Sequence, residues 1–178
     1  MEQGEAQPRG FLYWVRVVAI GRRPKRTLLR ILLLVLVTVV TFKFVLIPVR
    51  VTGISMEPTY HNHSINFINR LSYLRSEPRH GDVVGIRYAG DHVMLLKRIV
   101  GTPGETISYS GGYVHINGVR QEEPYLKKFT DWEMDGKTLG PDEYYVVGDN
   151  RSMPRELHEE GVAMRWRIVG KAVWPGNK

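Results

Sequence analysis

An apolar run near the N-terminus, residues 28–47, most constrains what this chain can fold into. It reads LLRILLLVLVTVVTFKFVLI, and its charged residues, Arg30 and Lys43, lie near its ends. A helix of about 20 mostly apolar residues spans the hydrocarbon core of a bilayer, and long basic side chains near its ends can reach the headgroups. A buried core helix with so few polar residues would have no solvated face. The run therefore predicts a transmembrane helix.

Positive charge is concentrated before this run. The formal net charge is +7. The basic residues of the flank are Arg9, Arg16, Arg22, Arg23, Lys25 and Arg26, against Glu2 and Glu5. Such a flank stays in the cytoplasm and attracts anionic headgroups. Residues 1–27 are therefore predicted to be cytoplasmic and residues 48–178 to form an exported domain. Nucleic acid is not predicted as a partner, because the charge is not spread over a folded face.

A cleaved secretory signal would also combine a basic flank with an apolar stretch. The sequence PVRV at residues 48–51 offers no small-x-small cleavage pattern, which favours a retained anchor. Residues 11–20 are too short to span a bilayer. They are either an amphipathic interfacial segment, with Tyr13 and Trp14 at headgroup level, or an ordinary flank.

The remainder of the chain predicts a mostly β domain, because its apolar and β-branched runs are short and separated by turn signals. The predicted strands cover residues 46–52, 64–68, 82–88, 93–100, 106–110, 113–116, 144–147 and 168–173. Asn117 and Gly118 indicate a hairpin between residues 113–116 and 119–120. The polar segments 122–137 and 152–160 are predicted to be flexible loops, and residues 131–134 are either part of the first loop or an ordered patch within it.

Ser55 is the first residue whose surroundings indicate chemistry. It lies between Gly53 and Pro58, in a turn-like segment just after the apolar run. Most serines in turns only provide local polar contacts. A serine becomes a nucleophile when a neighbouring base takes its proton.

Lys97 could be such a base, because it lies in the apolar strand segment MLLKRIV, residues 94–100. Alternate residues of a strand face opposite sides, so either Lys97 or Arg98 must face the buried side. A lysine acts as a base when burial lowers its pKa. The competing interpretation is an edge strand with Lys97 exposed to solvent.

The other polar positions give weaker signals. Asp149 follows a predicted strand, which favours an Asx-turn with Arg151 pairing nearby. His61 and His63 are a weak metal signal, and neither a metal nor another cofactor is predicted. A Ser-His-Asp triad stays open without favouring a particular histidine. The chain has no cysteine, which excludes disulfides, thiolate metal sites and a cysteine nucleophile.

Four segments, taken in order, resemble the bacterial type I signal peptidases, the serine–lysine peptidases of the S26 family. They are GISMEPT (53–59), GDVV (81–84), LLKRIVGTPGE (95–105) and GDNR (148–151), and IVGKA (168–172) fits the same pattern. Each motif alone is weak, but the ordered set covers nearly the whole chain together with the anchor. The resemblance implies that Ser55 is the nucleophile and Lys97 the general base in cleavage of signal peptides from secreted preproteins.

The resemblance also implies the surroundings of this pair. The backbone N–H of Ser55 would help to hold the oxyanion, and the second donor is unassigned because Gly53 replaces a serine of some members. Small residues would be preferred one and three positions before the cut. The implied pocket residues are Val49, Val51, Met56, Tyr60 and Leu96. The implied structural residues near the site are Gly53, Pro58, Asp149, Asn150 and Arg151.

The loop after Arg151 departs from the family pattern. The family continues with a serine that orients the lysine and then an Asp/Arg pair. Strict register places Pro154, Glu156 and His158 at those positions. Ser152 is predicted to take over the lysine contact if the loop is shifted.

The implied fold is mostly β: a single N-terminal transmembrane helix, then a β-rich barrel-like catalytic domain with a smaller β extension, residues 106–140. The implied location is the cytoplasmic membrane of a bacterium, with the N-terminus in the cytoplasm and the catalytic domain outside. Its partners would be preprotein signal peptides and the lipid bilayer, close to the secretion translocon. Two alternatives are a specialised relative that matures one pilin or conjugation substrate, and a non-catalytic membrane-tethered β module.

Overall fold

The computed structural model describes residues 23–89, 93–126, 131–152, 154–158 and 160–173. The chain divides into two units, Met1–Lys43 and Phe44–Lys178. Most of the predicted cytoplasmic segment, including residues 11–20, lies outside the described residues.

Helix α1, Pro24–Val40, is followed by a π-helical turn, Thr41–Val45. Together they have a mean hydropathy of 2.5 and no buried residues, so they are long and apolar enough to cross a membrane. These helical residues begin four positions before the predicted span of 28–47 and end two positions before its last residue. Proline fits the first turn of a helix, where its missing N–H is not needed. At the other end, residues 46 and 47 pair in a strand that contains Pro48, a residue that does not continue a helix.

The second unit is built from antiparallel strands. They are β1 (Leu46–Arg50), β2 (Ile65–Asn69), β3 (Val83–Ala89), β4 (Val93–Gly101), β5 (Thr106–Ser110), β6 (Tyr113–Ile116), β7 (Val119–Arg120), β8 (Met134–Thr138), β9 (Glu143–Val147), β10 (Gly161–Met164) and β11 (Ile168–Ala172). A seven-stranded sheet has the order β1-β2-β11-β3-β4-β9-β10, and a four-stranded sheet has the order β7-β6-β5-β8. This arrangement confirms the prediction of a mostly β fold with an N-terminal apolar helix and a smaller β extension.

A buried cluster packs the smaller sheet against the larger one. The larger sheet contributes Val100, Tyr145 and Val147, and the smaller contributes Ile107, Tyr109 and Val114. The predicted hairpin between β6 and β7 is confirmed. Asn117 and Gly118 have φ values of 52° and 80°, as a two-residue turn of type I′ requires.

Two segments predicted as flexible loops are partly ordered. Residues 134–138 form β8, which pairs with β5. Trp132 precedes this strand and is buried, with its ring 5.5 Å from that of Tyr109. The segment 152–160 contains a 3₁₀ helix, Arg155–Leu157, and the buried side chain of His158. Contacts with distant aromatic residues order these segments, although their own sequences lack apolar periodicity.

Candidate active site

Ser55 lies on a turn after β1 that is attached to the turn after β9. The backbone N–H of Asn150 donates to the Ser55 carbonyl oxygen at 2.9 Å, and its side-chain amide donates to the Ile54 carbonyl oxygen at 3.1 Å. Gly53, just before Ile54 and Ser55, has a φ of +95°, a backbone conformation that favours glycine. Its N–H donates to Asn62 Oδ1 at 3.1 Å. The half-buried Ser55 is therefore held by backbone contacts on both sides.

Gly148 allows these two turns to come together. A Cβ atom at this position would lie 2.2 Å from the Ser55 carbonyl oxygen and 2.9 Å from His158 Cε1. Both separations are shorter than a carbon atom tolerates. Any other residue at 148 would therefore displace the turn that carries Ser55.

Lys97 lies in the interior of the large sheet. Its strand, β4, pairs with β3 on one side and β9 on the other, and Lys97 itself is only 1% exposed. The alternative of an edge strand with a solvent-exposed Lys97 is therefore wrong. The pairing of β4 with β9 brings Lys97 towards the turn that carries Ser55. Arg98 pairs with Val147, so the next positions along these antiparallel strands are Lys97 and Gly148, and Gly148 lies against the Ser55 carbonyl oxygen.

The neighbouring cation, Arg98, is neutralised by Asp149. Its Nε donates to Oδ1 at 2.8 Å and its Nη2 to Oδ2 at 2.6 Å, while its Nη1 donates to the Gly81 carbonyl oxygen at 2.7 Å. The Asp149 side chain is completely buried and also accepts a hydrogen bond from the Thr59 hydroxyl. Asp149 thus connects the turn that carries Ser55 to the strand that carries Lys97.

The prediction that Arg151 pairs with Asp149 is wrong. Arg151 instead forms a buried ion pair with Glu123 at 2.8 Å, and its Nε donates to the Gly148 carbonyl oxygen at 2.8 Å. The strand register decides between the two arginines, because it places Arg98 across the sheet from the residues that precede Asp149. Arg151 nonetheless braces the same turn from its other side.

A cavity of about 110 Å³ opens beside Ser55. Its lining contains Ser55 together with these predicted pocket residues: Val49, Val51, Met56 and Leu96. Tyr60, also predicted there, is buried in the apolar cluster that supports Met56. Sites for drug-sized ligands typically measure about 300–1,000 Å³. A cavity of this smaller size suits one or two small side chains.

Comparison with known proteins identifies the family of this chain. The family model described as signal peptidase, peptidase S26, matches residues 25–176. The chain belongs to this S26 family. A solved structure of a signal peptidase I from Enterococcus faecalis V583 matches 54% of this chain and 97% of that chain, with 22% identity and a TM-score of 0.43.

Several relatives in the family are named signal peptidase I. The chain is 32% identical over 135 residues to that of Leptolyngbya laminosa, covering 70% of this chain and 66% of the relative. It is 36% identical over 133 residues to that of Bacillus amyloliquefaciens, covering 68% and 70%. It is 34% identical over 151 residues to signal peptidase I T of Bacillus subtilis strain 168, covering 79% and 78%. The match spans less than two thirds of the Leptolyngbya relative and 60% of a probable signal peptidase I-2 from Synechocystis.

This S26 chain has its own arrangement in the loop after Arg151. Ser152 is exposed, and its hydroxyl and backbone N–H both donate to Asn150 Oδ1, at 2.6 and 3.1 Å. Its contact with Lys97 stays a prediction. Pro154 is also exposed. His158 instead turns inward, which the sequence did not indicate except through its place at the arginine position of the family pattern.

His158 is held neutral in this buried position. Burial, and then the positive charge that Lys97 carries when it is protonated, lower the pKa of His158 to about 4. Histidine in an unfolded chain titrates near 6.5, so the unfolded state binds more protons between these two pH values. The free energy of unfolding therefore falls as pH decreases through that window.

We expect this histidine to make the protein sensitive to acid. Between pH 8 and pH 5, protonation of His158 in the unfolded state lowers the free energy of unfolding by about 2 kcal/mol. Thermal unfolding of the full chain in detergent should show the loss in the wild type and a smaller loss in His158→Gln. The same dependence of Tm on pH in both proteins would contradict a neutral, buried His158.

Proposed function

We propose that this chain is a membrane-anchored serine endopeptidase that removes N-terminal signal peptides from secreted preproteins. Ser55 is the nucleophile and Lys97 the general base. The observation that carries the proposal is the burial of Lys97 at the strand position beside Gly148, the residue on which the Ser55 turn rests. A buried amine without solvent favours its neutral form, and only that form can accept a proton.

The reaction then proceeds in two stages. Lys97 Nζ takes the proton of Ser55 as Oγ attacks the scissile carbonyl, and the lysine passes this proton to the leaving amine. The resulting acyl-enzyme is hydrolysed by a water molecule that gives a proton to Lys97, after which the proton returns to Ser55. The backbone N–H of Ser55 stabilises the oxyanion of each tetrahedral intermediate.

The small cavity supports a substrate with small residues before the cut. Leu96 and Met56 form apolar walls of this cavity next to Ser55. Because the cavity measures only about 110 Å³, a bulky side chain would require its walls to move. Membership of the S26 family and the names of its relatives support signal peptides as the substrate class.

We expect the residue before the cut to control cleavage. A preprotein with alanine there should be cleaved with a kcat/KM about 100-fold or more above that of its tryptophan counterpart, since bulky groups clash in so small a pocket. Cleavage by the full chain in detergent micelles can be followed on gels, with the cut located by mass spectrometry. Substitution of the second residue before the cut serves as the control.

Equal cleavage of the alanine and tryptophan substrates would contradict the assigned pocket. Several different signal sequences belong in the same assay. Cleavage of most of them supports a general signal peptidase. Acceptance of a single preprotein would support the specialised relative instead.

The apolar helix is the proposed anchor. The basic residues that precede it place its N-terminal side in the cytoplasm by the positive-inside rule, and anionic headgroups attract the same residues. The peptidase unit then lies on the outer side of the cytoplasmic membrane of a bacterium. Signal peptides emerge there from the translocon, within reach of a site tethered by one helix.

A further inference from the structure

Met94 lies in the wall of the cavity beside Ser55 and has no role in the mechanism above. It is part of β4 and lines the cavity together with Val49 and Leu96. The side chain is half-buried and packs against the buried apolar cluster that contains Met56. A half-buried apolar side chain in this wall contacts the protein core on one side and faces the substrate on the other.

Gly85 lies directly against this methionine. A Cβ atom at position 85 would lie 2.6 Å from Met94 Sδ and 3.1 Å from Ile68 Cγ1. The pairing of β3 with β4 explains the contact, because Gly85 pairs with Leu96 and Arg87 pairs with Met94. Alternate residues of paired strands face the same side of a sheet. The thioether of Met94 therefore occupies space that a side chain at position 85 would otherwise fill.

The cavity has two methionines in its wall, Met56 and Met94, and their surroundings differ. Met56 is only 1% exposed, so its side chain cannot move without disturbing the close-packed core. Met94 is half-buried, and methionine is an unbranched side chain that adapts its shape to its neighbours. Displacing Met94 therefore costs less than displacing Met56.

The position of Met94 along β4 assigns it to one residue of the substrate. Lys97 acts at the scissile bond, and Leu96 lines the cavity beside Ser55. Met94 lies on the other side of Leu96 from Lys97, at a distance of two strand residues, or about 7 Å. An extended substrate has the same repeat, so the residue directly before the cut meets Leu96. The residue three positions before the cut then meets Met94.

We propose that Met94, seated on Gly85, determines which side chains are accepted three positions before the cut. Alanine fits beside the thioether, whereas a larger side chain has to displace it. The inference rests on the proposed function and deepens it, because it assigns one wall residue to one substrate position. It leaves the residue directly before the cut under the control of Met56 and Leu96.

Cleavage of two preproteins tests the assignment. They are identical except for alanine or phenylalanine three positions before the cut, and the full chain cleaves them in detergent micelles. Wild type should prefer alanine by about 10-fold or more in kcat/KM, and Met94→Ala should remove most of this preference by cleaving the phenylalanine substrate faster. Met164→Ala, on β10 and outside the cavity lining, is the matched control and should keep the wild-type preference.

The residue directly before the cut provides an internal comparison. The preference for alanine over tryptophan there should change by less than about 3-fold in Met94→Ala, since Met56 and Leu96 are unaltered. An unchanged preference at the third position would overturn the proposal. A change directly before the cut as large as that at the third position would do the same.

Gly85→Ala should have the opposite effect. Ile68 is fully buried, so the added methyl group pushes the Met94 thioether towards the cavity. The preference for alanine at the third position should therefore increase. Urea unfolding tests the contact without any substrate: Gly85→Ala should cost less stability in a Met94→Ala background than alone, because residues in contact are coupled. Equal costs in the two backgrounds would show that the thioether does not rest on Gly85 and would overturn the proposal.

Binding of the uncleaved substrates separates this proposal from the proposed function. In a Ser55→Ala background, calorimetry gives the Kd of signal peptides that carry alanine or phenylalanine at the third position. Met94→Ala should reduce the difference between the two Kd values, whether or not Ser55 is the nucleophile. Cleavage and binding with unchanged preferences would overturn this proposal alone. Failure of both peptides to bind would overturn it together with the assigned substrate cavity.

Discussion

Replacing Ser55 with alanine, or Lys97 with methionine, should abolish cleavage of a preprotein by the full chain. Each change removes one member of a pair that acts as a unit, so each alone should lower kcat by about 10⁴-fold or more. The two losses should not add in the double variant, for the same reason. Single-turnover cleavage measured by gel and mass spectrometry has the range to detect such a loss.

Two exposed residues offer matched controls. Ser76→Ala removes a hydroxyl that donates to the backbone of Ser72, and Lys137→Met removes an exposed amine from β8. Both controls should cleave at the wild-type rate. Retention of cleavage in Ser55→Ala or Lys97→Met, at a Tm equal to that of the controls, would refute the assigned pair. That outcome would favour the non-catalytic β module.

Replacing Asp149 with asparagine should destabilise the peptidase unit by about 3–5 kcal/mol, because it leaves a buried arginine without its counter-charge. Arg98 and Asp149 form a bidentate ion pair, and the carboxylate is completely buried. Water therefore cannot reach Arg98 there to compensate for the lost negative charge. The change also weakens the contact to the Thr59 hydroxyl. Cleavage should therefore fall together with stability. Urea unfolding followed by tryptophan fluorescence measures the effect.

The control for this prediction is Asp142→Asn, at an exposed position in the turn before β9, which should change stability by about 0.5 kcal/mol or less. A double variant, Arg98→Leu with Asp149→Leu, removes both charges and should recover part of the lost stability. If Asp149→Asn unfolds at the same urea concentration as Asp142→Asn, the ion pair contributes little and the argument fails.

The sequence predicts the strands that have apolar alternation or continuous apolar runs. It does not predict two edge strands, β8 and β10. β4 and β9 are central, so burial on their faces imposes apolar residues. β8 and β10 lie at the ends of their sheets. β8 reads MDGKT and is mostly exposed, so backbone pairing defines it while its side chains carry no pattern. Edge strands commonly contain such polar residues.

Within the site, local sequence indicated some residues and missed others. Lys97 could be selected because a lysine is out of place in an apolar strand segment, and Ser55 because its motif after the apolar run resembles the family pattern. His158 could not, since nothing near it in the sequence explains a buried imidazole. Its surroundings arise only when the chain after β9 turns back on Gly148 and meets Trp132 from the other sheet.

By itself, the sequence determined the apolar helix and the mostly β character of the remainder, because each depends on composition or periodicity within short stretches. The ordered motifs around Ser55 and Lys97 carried the resemblance to the family. Only the tertiary structure decided that Arg98 neutralises Asp149, that Lys97 is buried and that His158 turns inward. These outcomes depend on strand register and on contacts between residues far apart in the chain, and a local stretch of sequence carries no information about either.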